Sequence, residues 1–359
     1  MNDTYVREGN LSKSAQVESL QIPRPTSLNA EKIVKSTLVF DTLALKYVID
    51  EPFATRCLNA GVKAANVTIV GEASWDETLF AIDEILEKIE KSPILKLAKT
   101  AADVHSISQS GFLAVVLVTQ GAGMIGTQLW RLSLLHKLGV RSVGLSYTAA
   151  NNYSDGCGET RNAGLTFLGR DFIHAVNELP LILDLSHVGH RSREEATVLA
   201  RSPACTHANA FSLIPNDRNV KDETAISIVK KGGIVSACAL PNTVYGREPT
   251  VAHFVDHIDY FRNLLGEQNI GIGFDFSEGL RVDNALPAAS VRWRTLRPDI
   301  FGSVDDFYNT SFPEGIETID KLPNVVEHLL GRRWSEASIK GLLGENWFRF
   351  MKSAIDERM

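Results

Sequence analysis

Leu181-Ile182-Leu183-Asp184-Leu185-Ser186-His187 begins apolar and turns polar at its finish. A strand buried on both faces of a parallel sheet reads this way when its last residues reach a functional edge. The runs Thr37–Leu43, Ala65–Val70, Phe112–Gln120, Arg141–Tyr147, Ala204–Asn209, Gly233–Leu240 and Ile270–Phe276 are also mostly apolar or β-branched, and several end in the same way. Helical spacing fills the intervals. Asp76–Lys91 repeats Leu79, Ile82, Leu86 and Ile89, and Gly164–Asn177, Arg193–Arg201, Lys221–Lys231 and Val251–Leu265 behave alike. Ser335–Met351 opens on a predicted N-cap, Ser335, with Glu336 just inside the helix. Alternating strands and helices define an α/β chain. A doubly wound open sheet would carry a glycine-rich turn after its first strand, whereas Thr42-Leu43-Ala44-Leu45 has no glycine. The expected fold is therefore a (β/α)8, TIM-type barrel.

With 359 residues and 44% hydrophobic content the chain can fill one large barrel, expected over residues 35–359. Residues 1–34 are polar, with Pro23 and Pro25 near their end, and read as an arm outside the core. A net charge of -6 argues against nucleic acid or an anionic membrane as partner. No apolar run approaches the ~20 residues that span a bilayer, and Met1–Glu8 lacks the apolar core of a signal peptide. Cys57, Cys157, Cys205 and Cys238 form no CxxC pair, which suits a reducing cytoplasm.

Barrel strands converge at their C-terminal ends, where enzymes of this architecture keep their chemistry. His187, His207 and Asp275 each end a separate strand, as do Gln120 and Tyr147. Two imidazoles and a carboxylate make a ligand set for Zn²⁺. A single histidine at a strand end is more often a hydrogen-bonded structural residue; two with an aspartate even the balance. His105, His136, His174, His253, His257 and His328 fall on helical or loop stretches and read as solvated or capping residues. Asp184, inside a strand, requires a buried partner. Arg218-Asn219, in the loop after the His207 strand, can clamp a carboxylate. Asn151–Glu159 is rich in turn formers and long enough for a lid.

Asp184-Leu185-Ser186-His187-Val188, Thr206-His207-Ala208, Arg218-Asn219-Val220 and Gly273-Phe274-Asp275-Phe276 occur in an order that resembles the membrane (renal) dipeptidase family. Asp155-Gly156-Cys157-Gly158-Glu159, Phe312-Pro313-Glu314-Gly315-Ile316 and Gly341-Leu342-Leu343-Gly344-Glu345-Asn346-Trp347 extend the resemblance from about Thr37 to the C-terminus. It implies a metallo-dependent hydrolase barrel that cleaves dipeptides at a two-metal site, and it implies dimerisation. His187 and His207 then correspond to ligands of the second metal. Arg218, with Asn219 beside it, corresponds to the recogniser of a substrate carboxylate, and Asp275 to the residue handling the attacking water or leaving amine. The departures bear on function. Aligned on Asp41, the family's His-x-Asp ligands fall on Leu43 and Leu45, its bridging glutamate on Gln120, and a substrate-binding histidine on Tyr147.

Replacing these ligands by Leu, Leu and Gln predicts that the first metal position is empty. One Zn²⁺ could remain on His187 and His207 with Gln120 or Asp275. The leading expectation is a cytoplasmic, dipeptidase-like hydrolase of small amides bearing a free carboxylate, with one ion rather than two and weak activity on ordinary dipeptides. Arg218 and Asn219 bind substrate, Asp275 acts as acid or base, and Tyr147 binds and polarises the carbonyl. The competing readings are an inactive ligand-binding protein and a metal-free isomerase or cyclase using Asp275 and Tyr147.

Overall fold

The computed structural model describes residues 28–282 and 286–359, so most of the polar arm (1–27) lies outside the described residues. Among the described residues there are nine parallel strands: β1 (Val39–Ala44), β2 (Val62–Thr68), β3 (Leu95–Leu97), β4 (Leu113–Thr119), β5 (Val140–Gly144), β6 (Ile182–Asp184), β7 (Pro203–Cys205), β8 (Ile234–Ala237) and β9 (Ile270–Ile272). Their order is β1-β2-β4-β5-β6-β7-β8-β9, with β3 added beside β4. The eight barrel strands are those expected; β3 is additional and is only three residues long.

The ring closes between β9 and β1 through residues just past the β9 ladder. Phe274 N donates to Asp41 Oδ1 at 3.1 Å, and Asp275 N donates to Leu43 O at 3.2 Å. Gly273 permits this approach, since a Cβ there would lie 2.1 Å from Thr206 O and 2.7 Å from Thr42 Oγ1.

Strand alternation sorts the core into two layers. From β4, Leu113, Val115 and Leu117 pack outward beneath the helices, whereas Ala114, Val116 and Val118 point into the barrel with Phe40, Leu43, Ala64 and Ile182. Trp347 closes this inner cluster, its ring 6.2 Å from that of Phe40. The inside of the barrel is therefore packed with side chains rather than hollow.

Several local expectations change. Residues 28–34, read as part of the arm, belong to a helix, Leu28–Ser36, that buries Ala30, Ile33 and Val34 against the barrel. Ser335 does cap a helix, but the expected continuous element is interrupted: Glu336–Lys340 and Asn346–Ala354 are separated by a wider turn with non-helical backbone at Gly344. Among the described residues no helix is long and apolar enough to cross a membrane.

Candidate active site at the mouth of the barrel

A cavity of about 340 Å³ is lined by residues lying at or just beyond the strand ends: Thr68 ends β2, while Leu45, Gln120, Tyr147, His187 and Asp275 follow β1, β4, β5, β6 and β9. Asp184 ties together the ends of β6 and β7, from which His187 and His207 follow. This buried carboxylate takes four donors: Ser186 N at 3.0 Å, Ser186 Oγ at 2.6 Å, Thr206 N at 3.1 Å and Thr206 Oγ1 at 2.7 Å. The partner that its position demanded is thus a ring of hydrogen bonds across β6 and β7. Since Thr206 gives its hydroxyl proton to Asp184, its oxygen accepts from His207 Nδ1, 2.7 Å away. His207 Nε2 is left bare and faces His187 Nε2 at 3.0 Å. Burial, reinforced by the charge of Arg218, holds both imidazoles well below their usual pKa, so both are neutral at pH 7.

Asp275 adopts φ 54°, an uncommon conformation for a residue with a Cβ, where its N–H reaches across the seam to Leu43. Burial raises its carboxyl to about 6, with Arg218 and then Arg294 opposing the rise. The Tyr147 ring lies 4.3 Å from that of His187, and burial lifts its phenol above the usual range, so it remains a donor. Arg218 is 1% exposed. It donates through Nη1 to Ser186 O, while Nε and Nη2 have no partner among the described residues. Two buried N–H groups without an acceptor fit an anionic ligand.

Other expected residues have different positions. Asn219 is fully buried and gives its amide to Ile214 O at 2.9 Å and Thr243 O at 3.1 Å, so it braces the loop carrying Arg218. Gln120 reaches the cavity but donates Nε2 to Thr68 Oγ1 at 3.0 Å. The turn-rich stretch Asn151–Glu159, long enough for a lid, is a packed loop: Tyr153 to Gly158 are buried, and Asp155 pairs with Arg161. His257, expected to be solvated or capping, is 1% exposed and joins Ala210 N to Val244 O.

The cavity is covered by a segment that the sequence reading passed over, the short helices Glu278–Val282, Ala288–Leu296, Pro298–Phe301 and Val304–Asn309. Trp293, Arg294, Phe301 and Phe307 from this segment line it. The helices are too short for a periodic signal. The only clue was the length of chain left over between β9 and Phe312.

The donor set can be tested for metal. His187 and His207 bring two imidazole nitrogens together, one fewer than the three protein ligands usual for catalytic zinc. Among the described residues no three His, Cys, Asp or Glu side chains form a metal-binding group, so Asp275 does not join the pair. Leu43 is packed inside the barrel and Leu45 lines the cavity; neither can coordinate. His187 and His207 could hold an ion, and Leu43 and Leu45 offer no donor atom to another.

Asp41 turns away from the cavity into a small pocket with Tyr47, Arg56 and Glu278. Its Oδ1 accepts from Leu43 N at 3.2 Å and Phe274 N at 3.1 Å, and burial raises its pKa from 3.8 to about 8. Between those values the folded state holds a proton that the unfolded state releases, so this group makes stability fall as pH rises through the window. Asp41→Asn keeps the acceptor and removes the charge. Its melting temperature is expected to gain on that of the unaltered protein progressively from pH 5 to pH 8; a pH-independent difference between the two would contradict this.

A parallel barrel whose mouth gathers a buried carboxyl, a phenol, paired imidazoles and an arginine places them where enzymes of this architecture keep their chemistry. The chain belongs to the membrane dipeptidase family, metallopeptidase family M19, whose model matches residues 53–290 and 301–358. It is 28% identical over 295 residues to dipeptidase tcpJ of Claviceps purpurea, covering 80% of this chain and 62% of that protein. It is 28% identical over 284 residues to dipeptidase aclJ of Aspergillus oryzae, covering 77% and 60%. The chain thus spans about six tenths of the length of these curated relatives. An amidohydrolase structure from Pseudomonas aeruginosa superposes with a TM-score of 0.81 at 26% identity, covering 91% of this chain and 99% of that one.

Proposed function

We propose that this chain is a dipeptidase-like hydrolase of small amino-acid-like amides bearing a free carboxylate. The observation that carries the reading is Arg218, buried at the barrel mouth with Nε and Nη2 unpaired and its charge acting on Asp275. Arg218 receives the substrate carboxylate. Tyr147, kept protonated by burial, donates to the scissile carbonyl oxygen. Asp275, poised near neutrality, takes a proton from the attacking water and returns it to the leaving nitrogen. A single zinc ion on His187 and His207 would supply Lewis acidity and a more acidic bound water. The positions of Leu43, Leu45 and Gln120 correspond, in this reading, to ligands of a metal that the chain has given up. The consequence is weak turnover of ordinary dipeptides.

The test is amine release from a panel of carboxylate-bearing amides with added Zn²⁺ or Mn²⁺, each compared with its primary carboxamide. Converting the carboxylate should cost ~1.5–3 kcal/mol of binding, the range for a charged hydrogen bond. Equal affinity for acid and carboxamide would remove Arg218 from the role, and no cleavage of any amide would remove hydrolysis.

A further inference from the structure

Asp275 and Arg294 line the cavity, and Arg218, buried and not among the lining residues, acts on Asp275 through its charge. Asp275 is opposed by two guanidiniums, Arg218 from the loop after β7 and Arg294 from the covering helix Ala288–Leu296. Arg294 is held in place: Nη1 donates to Phe301 O, and the guanidinium lies 4.7 Å from the centre of the Phe307 ring. Burial lowers its pKa only to about 10, so it remains cationic at neutral pH, and its charge acts on both Tyr147 and Asp275. The mouth adds one charge of each sign, Lys46 and Glu72, both exposed. Lys46 is paired with Glu84 at 3.2 Å, and Glu72 accepts from Ala149 N at 3.1 Å.

One incoming carboxylate brings the buried set of Arg218, Arg294 and Asp275 to neutrality. The free ammonium of a dipeptide would restore the excess positive charge in a desolvated site. A metal ion on the histidine pair would only increase that excess. Leu45, Leu280, Leu286, Trp293, Phe301 and Phe307 form an apolar part of the wall that suits a hydrocarbon or aromatic group, while the polar part, Thr68, Gln120, Thr148, Ser277 and Ser290, carries no charge to balance an ammonium.

Resting on the hydrolase reading above, we propose that the cavity takes N-acylated amino acids, amides whose nitrogen carries an apolar acyl group with no free amine, and that Arg294 sets this preference by opposing an ammonium. Arg294 is a specificity-determining residue, distinct from the carboxylate clamp at Arg218.

A matched pair isolates the claim: 3-phenylpropanoylglycine and phenylalanylglycine differ only in the α-ammonium group. Calorimetry at pH 7 on the full chain is expected to show the acyl compound binding at least about tenfold more tightly, a difference of ~1.4 kcal/mol. Arg294→Met should collapse the ratio towards one, while Arg294→Lys should preserve it by keeping the charge. Phenylalanylglycine binding as well as or better than its partner, or neither compound binding, overturns the proposal. That comparison uses the unaltered protein and does not depend on the variants folding. An undiminished ratio in folded Arg294→Met also overturns the assignment to Arg294. Product analysis of the same samples separates the two readings. An acyl compound bound selectively but left uncleaved retires hydrolysis and leaves the selectivity standing.

Discussion

Asp275→Asn is expected to lower kcat/KM by about 10²–10⁴-fold on any amide this chain cleaves, the usual contribution of a general acid or base. The amide is nearly isosteric with the carboxyl and cannot exchange the proton. The φ of 54° and the N–H bond to Leu43 belong to the backbone, so the seam of the barrel should survive. The pH profile gives an independent reading. Because burial raises Asp275 to about 6, the basic form dominates above that value, and kcat/KM should rise through pH 6 from a protonated, inactive limb. If the group acted first as an acid, the limb would be reversed. An Asp275→Asn protein that retains activity within tenfold of the unaltered chain would place the proton transfer elsewhere, with His187 Nδ1, buried and unpartnered, the next group to examine.

The second large effect concerns what stands at the first strand and beside Thr68. Leu43→His, Leu45→Asp and Gln120→Glu together should raise metal content from about one ion per chain towards two, since they supply an imidazole and two carboxylates that a second cation needs. Each change has a cost. Leu43 packs against the inner cluster of the barrel, so a histidine there must find a partner or destabilise the protein. Gln120 surrenders its donation to Thr68, which can instead donate to the new carboxylate. Melting curves with and without Zn²⁺ check this, because an ion bound only by the folded state raises the melting temperature. A folded triple variant that gains no metal would show that Leu43 and Leu45 do not stand at the ancestral ligand positions.

The barrel was legible because parallel strands buried on both faces leave unbroken apolar runs, and their polar endings mark the mouth. Asp184 and His187 announced themselves at the end of one such run. The number of residues in regular pairing was not legible. The β6 ladder stops at Asp184, and Ser186 and His187 occupy the turn beyond it. β3 left no signal because three residues cannot show a period. His257 was misread although its signal was present: Phe254, His257, Ile258 and Phe261 share one buried helical face, and the imidazole is its polar member. The role of Asn219 depends on where Ile214 and Thr243 present their carbonyls, which is tertiary information. Arg294 was missed with the covering helices that carry it.

The most direct measurement is the metal content of the unaltered protein, purified without a metal-binding tag and equilibrated with Zn²⁺. With His187 and His207 paired, no group of three His, Cys, Asp or Glu side chains among the described residues, and leucine at 43 and 45, elemental analysis should saturate at about one ion per chain. His187→Ala or His207→Ala should remove that ion, lowering affinity by at least about tenfold. Saturation at two ions per chain, or one ion retained at full affinity by both alanine variants, would contradict the account.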